Sequence, residues 1–304
     1  MIWSEHEPRG IRLLRVQIGG MTFDVAEAGS GDHLALCLHG FPELNYAWRY
    51  QMLLLARMGY RVWAPNQRGY GGSSRPDSVQ DYTVDKLVAD VAALFDASKA
   101  ARLTLIGHDW GGFVAWIFAI NRVRPVERLV VMNNPHPACL CEALRRWPQR
   151  RRSWYIVAMQ VPWLPEWWLC RRDGVAIRRL FRGMAVDKSR FSDALLDIYA
   201  AAACERGAVR AMVNWYRAAV RWTNWMRFPN DCRVDVPVLI IWGERDTALG
   251  LETLNGTERF VSDLTVRRLA NVSHWVQQEA PEIVNDILSM WLPVVDVQVP
   301  KLST

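Results

Sequence analysis

The stretch that decides the fold covers residues 102–120 and reads RLTLIGHDWGGFVAWIFAI. Its first part, 102–107, is a short apolar run typical of a buried strand, and its last part, 110–120, is typical of a helix. Glycines before and after Asp109 permit a tight turn between the two elements. The stretch therefore predicts a strand, a turn that projects Asp109 above the sheet edge, and a helix.

Similar units lie on both sides of this stretch. Further strands are predicted at 34–38, 61–65, 128–132, 236–243 and 264–269, and further helices at 44–58, 83–98, near 252–260 and at 281–291. Apolar strands that alternate with amphipathic helices are typical of a parallel sheet covered on both faces. A glycine pair at 19–20 predicts an antiparallel hairpin of 11–18 and 21–28. The predicted fold class is α/β, with a mostly parallel sheet.

This alternation stops at the sequence NNPHP, residues 133–137. No strand is predicted from 138 to about 229, where helical stretches carry eight of the 16 tryptophans. We therefore predict an α/β core from residues 1–137 and 230–304, interrupted by a helical lid, or cap domain, of residues 138–229.

Composition excludes several classes of protein. With 51% hydrophobic and 22% charged residues among 304, the chain is expected to fold and not to be disordered.

No secretory signal is recognised, and prolines interrupt the longest apolar stretch, 153–170, so no membrane-spanning helix is expected. Six scattered cysteines favour reduced thiols and a cytoplasmic protein. His136, Cys139 and Cys141 lack a fourth ligand at a spacing that would suit a metal.

The net charge of +6 comes from one segment, because residues 141–182 contain ten arginines and only three acidic residues. Such a segment can meet nucleic acid or an anionic membrane surface. No nucleic-acid motif accompanies it, so no nucleic-acid partner is expected. Arginines on the outer faces of helices are the simpler interpretation.

Three residues predict a catalytic triad. Asp109 occupies the position that serine has in the G-x-S-x-G nucleophile elbow, although an aspartate before a helix can also serve as its N-cap. The sequence GERD, 243–246, follows a predicted strand, and His274 follows the next one. This is the chain order nucleophile, acid, histidine. Asp246 is favoured over Glu244 as the acid because it lies further past the strand end.

An oxyanion hole is predicted from two backbone amides. The sequence HGFP, 39–42, follows a predicted strand, where a loop can supply one amide, while the residue after the nucleophile supplies the other. The N–H groups of Phe41 and Trp110 are the predicted pair. All these motifs lie at carboxyl ends of strands, which is the edge where open α/β sheets bind ligands.

At this point the chain resembles the epoxide hydrolases of the α/β-hydrolase fold, of the soluble epoxide hydrolase type. The similar segments cover nearly the whole chain and are HGFPE (39–43), NQRGYGGSS (66–74), GHDWGG (107–112), GERD (243–246) and SHWVQQEAPE (273–282). Asn66 departs from the family, which usually has aspartate there. We expect this departure to affect hydrogen bonding in the loop and not the chemistry.

The resemblance implies a cofactor-independent hydrolase, without a metal, that converts apolar or aromatic epoxides and water to vicinal diols. Asp109 would form an alkyl ester, which water activated by His274 would hydrolyse. Tyr155 and Tyr216 resemble the family's ring-opening tyrosines, and Tyr199 is a third candidate in the lid. A homodimer is the candidate oligomeric state. The residues expected to contact substrate are His39, Pro42, Trp154 and Trp215.

The alternative is a haloalkane or haloacetate dehalogenase, which shares the aspartate elbow. A residue like Trp110 can hold the halide, but such enzymes often have asparagine where this chain has Phe41. The two lid tyrosines favour an epoxide. An esterase is less favoured because the elbow lacks serine, and a catalytically silent relative that binds a ligand stays open because fold does not determine function.

Overall fold

A computed structural model of the chain describes residues 10–223 and 232–295. Its centre is an eight-stranded sheet with the order β1-β2-β4-β3-β5-β6-β7-β8. The strands are β1 (Ile11–Ile18), β2 (Met21–Ala28), β3 (His33–Leu38), β4 (Arg61–Pro65), β5 (Arg102–His108), β6 (Arg128–Met132), β7 (Val238–Gly243) and β8 (Leu264–Leu269). Strand β2 is antiparallel to β1 and β4, and all other neighbours are parallel. The predicted mostly parallel sheet is confirmed.

Helices cover the sheet and form the insertion. In chain order they are α1 (Arg49–Arg57), α2 (Val84–Ser98), α3 (Trp110–Ile120), α4 (Pro137–Leu144), α5 (Trp147–Arg152), α6 (Trp154–Ala158), α7 (Leu164–Met184), α8 (Asp193–Cys204), α9 (Ala208–Arg221), α10 (Val276–Glu279) and α11 (Pro281–Trp291).

The inner strands of the sheet are buried on both faces. In β3, Leu34 and Leu36 pack on one side, where α2 and α3 supply the apolar partners, while Ala35 and Cys37 pack on the other, against α1 and α11. Successive side chains of a strand point to opposite faces. A strand buried on both sides therefore needs an unbroken apolar run, which is the pattern that predicted these strands.

The predicted helix near 252–260 is wrong. The chain forms two separate 3-10 turns there, Leu251–Leu254 and Thr257–Arg259. Gly256 lies between them with a φ of 87°. This left-handed conformation, which glycine adopts readily, does not continue a helix.

Between β6 and β7 the described residues form the six helices α4 to α9 and contain no strand. Helix α7 is interrupted at 171–174, where the backbone leaves the helical conformation, and its two parts pack against α8. Helix α9 packs on the 3-10 turn Val79–Tyr82 of the core. The limits of the lid, 138 and 229, stay predictions, and the second of them lies outside the described residues.

The described segments contain no helix that is long and apolar enough to cross a membrane. All six cysteines carry free thiols.

Candidate active site

Asp109 occupies the turn between β5 and α3, at the carboxyl edge of the sheet. Its backbone has φ 49° and ψ −121°, a conformation that residues other than glycine rarely adopt. Glycine is required around it, because a Cβ on Gly107 would lie 2.4 Å from the carbonyl oxygen of Gly111. A Cβ on Gly40 would lie 2.4 Å from the Cβ of Asp109 itself. The loops after β3 and β5 therefore meet closely at this carboxylate.

His274 lies between two carboxylates. Its Nε2 is 3.5 Å from Oδ2 of Asp109, and its Nδ1 is 2.7 Å from Oδ2 of Asp246. The three residues follow β5, β7 and β8, whose carboxyl ends lie at the same edge of the sheet. Glu244, the rival for the acid, instead forms an ion pair with Arg268 at 2.6 Å.

Asn133, directly after β6, holds the acid in place and was not recognised from the sequence. Its Nδ2 donates to Oδ2 of Asp246 at 2.7 Å, and its Oδ1 accepts from the N–H of Gly243 at 2.9 Å. The N–H groups of Ala248 and Leu249 donate to Oδ1 of Asp246 at 2.8 and 2.9 Å. The position of Asn133 directly after a strand could have indicated its role, because polar residues at the carboxyl ends of the parallel strands reach the site.

The charges of the three groups stabilise one another. Burial acts to lower the pKa of His274, but Asp246 and Asp109 outweigh burial and raise this pKa to about 10. Burial acts to raise the pKa of both carboxyls, but His274 outweighs it and holds them below their usual values. At neutral pH the resting site is an imidazolium between two carboxylates.

This arrangement makes the proton on His274 a contribution to stability. Its pKa in the folded chain lies above the value of about 6.5 for an unfolded histidine. The contribution is therefore complete below about pH 6.5, and it disappears as the pH rises through about 10.

We expect His274 to keep both ring protons at neutral pH in the wild-type protein. The Asp109→Asn variant lacks one of the two neighbouring carboxylates, so the pKa of His274 should fall in it. Titration of 15N-labelled histidine by NMR measures both values, and Glu244→Gln serves as the matched control for loss of a nearby charge. Equal pKa values in the wild type and in Asp109→Asn would contradict the coupling.

A cavity of about 170 Å³ lies over Asp109. The hydroxyl-bearing rings of Tyr155 and Tyr216 face it with their centroids 6.0 Å apart, and the Tyr216 ring lies 5.1 Å from that of Trp110. The lining is mostly apolar and consists of Asp109, Trp110, Phe113, Asn134, Leu140, Leu144, Ser153, Tyr155, Ile156, Tyr216, Ala219, Val220 and Leu249. Such a cavity suits a small apolar molecule with one polar group.

The two cavity tyrosines differ from the third lid candidate. Burial, and then the charge of Asp109, raise the pKa of both Tyr155 and Tyr216 well above the usual value, so their hydroxyls stay protonated at neutral pH. Tyr199 lies elsewhere, because its ring stacks on Phe181 and its hydroxyl donates to Oε1 of Gln278 at 2.7 Å.

Both residues of the predicted oxyanion hole adjoin Asp109. The N–H of Phe41 donates to Oδ1 of Asp109 at 2.8 Å. Trp110 is the first residue of α3 and lines the cavity. The role of its N–H stays a prediction.

None of the four residues expected to contact substrate is among the described residues that line the cavity. His39 is buried and accepts a hydrogen bond from a neighbouring backbone N–H, and burial lowers its pKa to about 4. Pro42 is buried in the same turn, and Trp215 is buried with its indole N–H donating to the carbonyl of Arg68. Trp154, the first residue of α6, is 67% exposed.

A second buried network of hydrogen bonds lies under the site, and the sequence did not predict it. Oε2 of Glu43 is 2.7 Å from Nδ1 of His108, whose Nε2 is 2.8 Å from the carbonyl oxygen of His274. The side-chain amides of Gln277 and Gln278 donate to Oε1 of Glu43. Burial acts to raise the pKa of Glu43, but His108 outweighs burial and holds this pKa below its usual value. The network anchors the backbone of the loop that carries the histidine.

Among the described residues no group of three His, Cys, Asp or Glu side chains could hold a metal ion. His136 stacks on Phe260, with ring centroids 4.6 Å apart, and its Nε2 hydrogen-bonds to the carbonyl of Cys232. Both ring nitrogens are used by the backbone, since Nδ1 accepts from the N–H of Ala138. His136 therefore packs at the start of α4, where it is the N-cap.

Comparison with known proteins gives consistent matches. A family model described as alpha/beta hydrolase fold matches residues 36–281. Epoxide hydrolase 4 of Homo sapiens is 34% identical over 92% of this chain and 78% of that protein. AB hydrolase superfamily protein YfhM of Bacillus subtilis is 35% identical over 93% of this chain and 98% of that protein. A crystal structure of a Bacillus megaterium epoxide hydrolase with an inhibitor superposes with a TM-score of 0.84 and 29% identity, covering 91% of this chain and 99% of the other.

Proposed function

Because the chain belongs to the α/β-hydrolase family, we propose that it is an epoxide hydrolase that forms vicinal diols through a covalent ester on Asp109. The observation that carries the proposal is an aspartate at the elbow, facing two protonated phenols across an apolar cavity. A carboxylate can displace at a saturated carbon and form an ester. Phenols opposite it can donate to the oxygen that is released.

In the first half-reaction an Asp109 oxygen attacks one epoxide carbon, and the carbon–oxygen bond of the ring breaks toward the oxygen. Tyr155 and Tyr216 donate hydrogen bonds to the developing alkoxide. Ester formation removes the charge of Asp109, which lowers the pKa of His274. The proton that the imidazolium then releases is the one that the alkoxide needs, so the proton balance closes.

In the second half-reaction the neutral His274 takes a proton from water, which attacks Cγ of the ester. Asp246 orients the histidine and stabilises the imidazolium that forms. The N–H of Phe41, already bonded to Oδ1 of Asp109, supports stabilisation of the tetrahedral oxyanion together with the N–H of Trp110. Collapse of the intermediate breaks the bond between Cγ and the ester oxygen, and the proton left on the oxygen that came from water passes to the departing alkoxide. This releases the diol and leaves the imidazolium between two carboxylates.

The division into core and lid is part of this proposal. The nucleophile, acid and histidine lie on the α/β core, whereas Tyr155 and Tyr216 lie on α6 and α9 of the insertion. A cytoplasmic location and a homodimer belong to the proposal as well, and they do not enter the mechanism.

A substrate panel tests the reaction class. Purified protein should convert aryl epoxides to diols and should leave haloalkanes and simple esters unchanged. Release of halide without diol formation would replace the proposal by a dehalogenase. The Phe41 side chain, whose ring packs edge-on against Tyr216 at 5.3 Å, offers no second donor for a halide.

Either Tyr155→Phe or Tyr216→Phe should slow ester formation by about 10²-fold, and the double change by about 10⁴-fold or more. The alkoxide would then form without either phenolic donor. Stopped-flow measurement of ester formation under single-turnover conditions gives these rates directly.

Tyr199→Phe is the matched control, because it removes the hydroxyl of another buried lid tyrosine that does not line the cavity. It should leave the rate within about twofold, while circular dichroism checks that each variant folds. Full activity of the double variant would remove both tyrosines from the mechanism.

A further inference from the structure

The outer side of the lid exposes an unusual number of large apolar side chains. Eight of the fifteen large hydrophobic residues that are exposed in the described part of the chain lie within residues 147–168. They include every tryptophan that is exposed there. The eight are Trp147, Trp154, Val157, Val161, Trp163, Leu164, Trp167 and Trp168. Exposed apolar residues that cluster in this way mark an interaction surface more often than scattered ones do.

The start of α7 presents these side chains outward. Pro165 and Leu169 are buried, whereas Trp163 and Trp167, one helical turn apart, are 82% and 59% exposed. Trp163 also has a left-handed backbone with φ 60°, which is unfavourable for a tryptophan. Burial of its side chain does not explain its presence at this position.

The same part of the sequence carries several arginines that have no salt bridge among the described residues. Of the ten arginines in residues 141–182, three form ion pairs, namely Arg152, Arg178 and Arg182. The other seven have no salt bridge to a carboxylate among the described residues, and the guanidinium of Arg171 lies over the ring of Trp167 at 4.8 Å. The seven are Arg145, Arg146, Arg150, Arg151, Arg171, Arg172 and Arg179. These seven arginines and the eight apolar residues constitute the lid surface.

The lid surface lies next to the catalytic cavity. Tyr155 and Ile156 of α6 line the cavity, whereas Trp154 and Val157 of the same helix are 67% and 72% exposed. One helix, about 10 Å across, therefore separates the cavity from the outer side of the lid.

We propose that the lid surface docks on an anionic lipid bilayer. Indole side chains favour the boundary between headgroups and acyl chains, and arginines favour anionic headgroups. Single-stranded nucleic acid also attracts arginine and aromatic residues, but the exposed Val157, Val161 and Leu164 offer nothing to bases or phosphates. The docking does not depend on the proposed function. Entry of apolar epoxides from the lipid into the cavity does rest on the proposed function.

Co-flotation of the full chain with vesicles tests the docking. The catalytically inactive Asp109→Asn variant is tested beside the wild type, so that failure of the proposed function and failure of docking are distinguishable. Both proteins should float with vesicles of phosphatidylcholine and phosphatidylglycerol at low salt, and at least about tenfold less with phosphatidylcholine alone or at high salt. Vesicles with brominated acyl chains should quench the tryptophan fluorescence of the bound protein. This measurement tests the docking without any substitution in the lid.

Paired variants separate the lid surface from the rest of the protein. The lid variants should weaken binding by about tenfold or more. The core variants, which remove the same number of charges or of exposed apolar side chains, should leave it unchanged. The lid variants are Arg145→Gln with Arg150→Gln, and Trp163→Ser with Trp167→Ser; the core variants are Arg57→Gln with Arg267→Gln, and Ile283→Ser with Met290→Ser. Absence of flotation with anionic vesicles would overturn the proposal, as would equal loss in the core variants, or binding of a single-stranded oligonucleotide without vesicle binding.

Discussion

Asp109→Asn should lower kcat/KM for an epoxide by at least about 10⁴-fold, the largest effect of any single substitution in the chain. Asparagine has nearly the same shape but its amide does not displace at carbon. The side chain can still accept the hydrogen bond from the N–H of Phe41, so the elbow should keep its conformation. Glu244→Gln is the matched control, since it converts an acid of the same sheet edge that pairs with Arg268, and its activity should stay within about twofold.

A single turnover in 18O-water identifies the atom that attacks. With enzyme in excess, the oxygen added to the first diol should come from Asp109, and the label should enter the Asp109 side chain when water attacks the ester. Mass spectrometry of the diol and of the peptide that contains Asp109 measures both. Label in the first-turnover diol with an unlabelled peptide would reduce Asp109 to an electrostatic role, without changing the substrate class.

His274→Gln should separate the two half-reactions. The attacking carboxylate needs no base, and water can supply the proton of the alkoxide in place of His274, so the ester should still form. Hydrolysis should slow by about 10⁴-fold or more because water has lost its base. Intact-mass spectrometry should therefore detect protein heavier by the mass of one epoxide. Turnover should end after one equivalent of substrate.

The double variant Asp109→Asn with His274→Gln controls for adventitious alkylation and should carry no added mass. A His274→Gln protein that loses turnover without accumulating an ester would show that ester formation itself requires the proton of His274. Because imidazolium and carboxylate stabilise each other here, loss of His274 should also raise the pKa of Asp109, and ester formation should recover as the pH rises.

The sheet and the catalytic elbow were predictable because their determinants are local. Each buried strand needs an apolar run along its own length, and the turn at Asp109 needs glycines within a few residues of it. The order of the site residues along the chain then brings Asp109, Asp246 and His274 to one edge, because parallel strands end at the same edge. Local sequence patterns are therefore enough to predict contacts between residues that are far apart in the chain.

Residues that act through distant partners were not predictable in this way. Asn133 contacts Asp246 across more than a hundred residues, and Glu43, in the loop after β3, meets His108 at the end of β5. Trp154 was expected to face the substrate, but α6 exposes it and turns Tyr155 toward the cavity instead. A five-residue helix is too short for its apolar pattern to determine which side faces inward.

The backbone conformation of Asp109 favours activity at the expense of stability. Its left-handed conformation suits glycine, and for an aspartate such a conformation costs about 1–3 kcal/mol, which the surrounding loops must offset. A lineage selected only for survival at high temperature would gain from glycine at this position and would lose the proposed nucleophile. A lineage selected for turnover retains the strain and must recover the stability elsewhere, for instance in the doubly covered sheet.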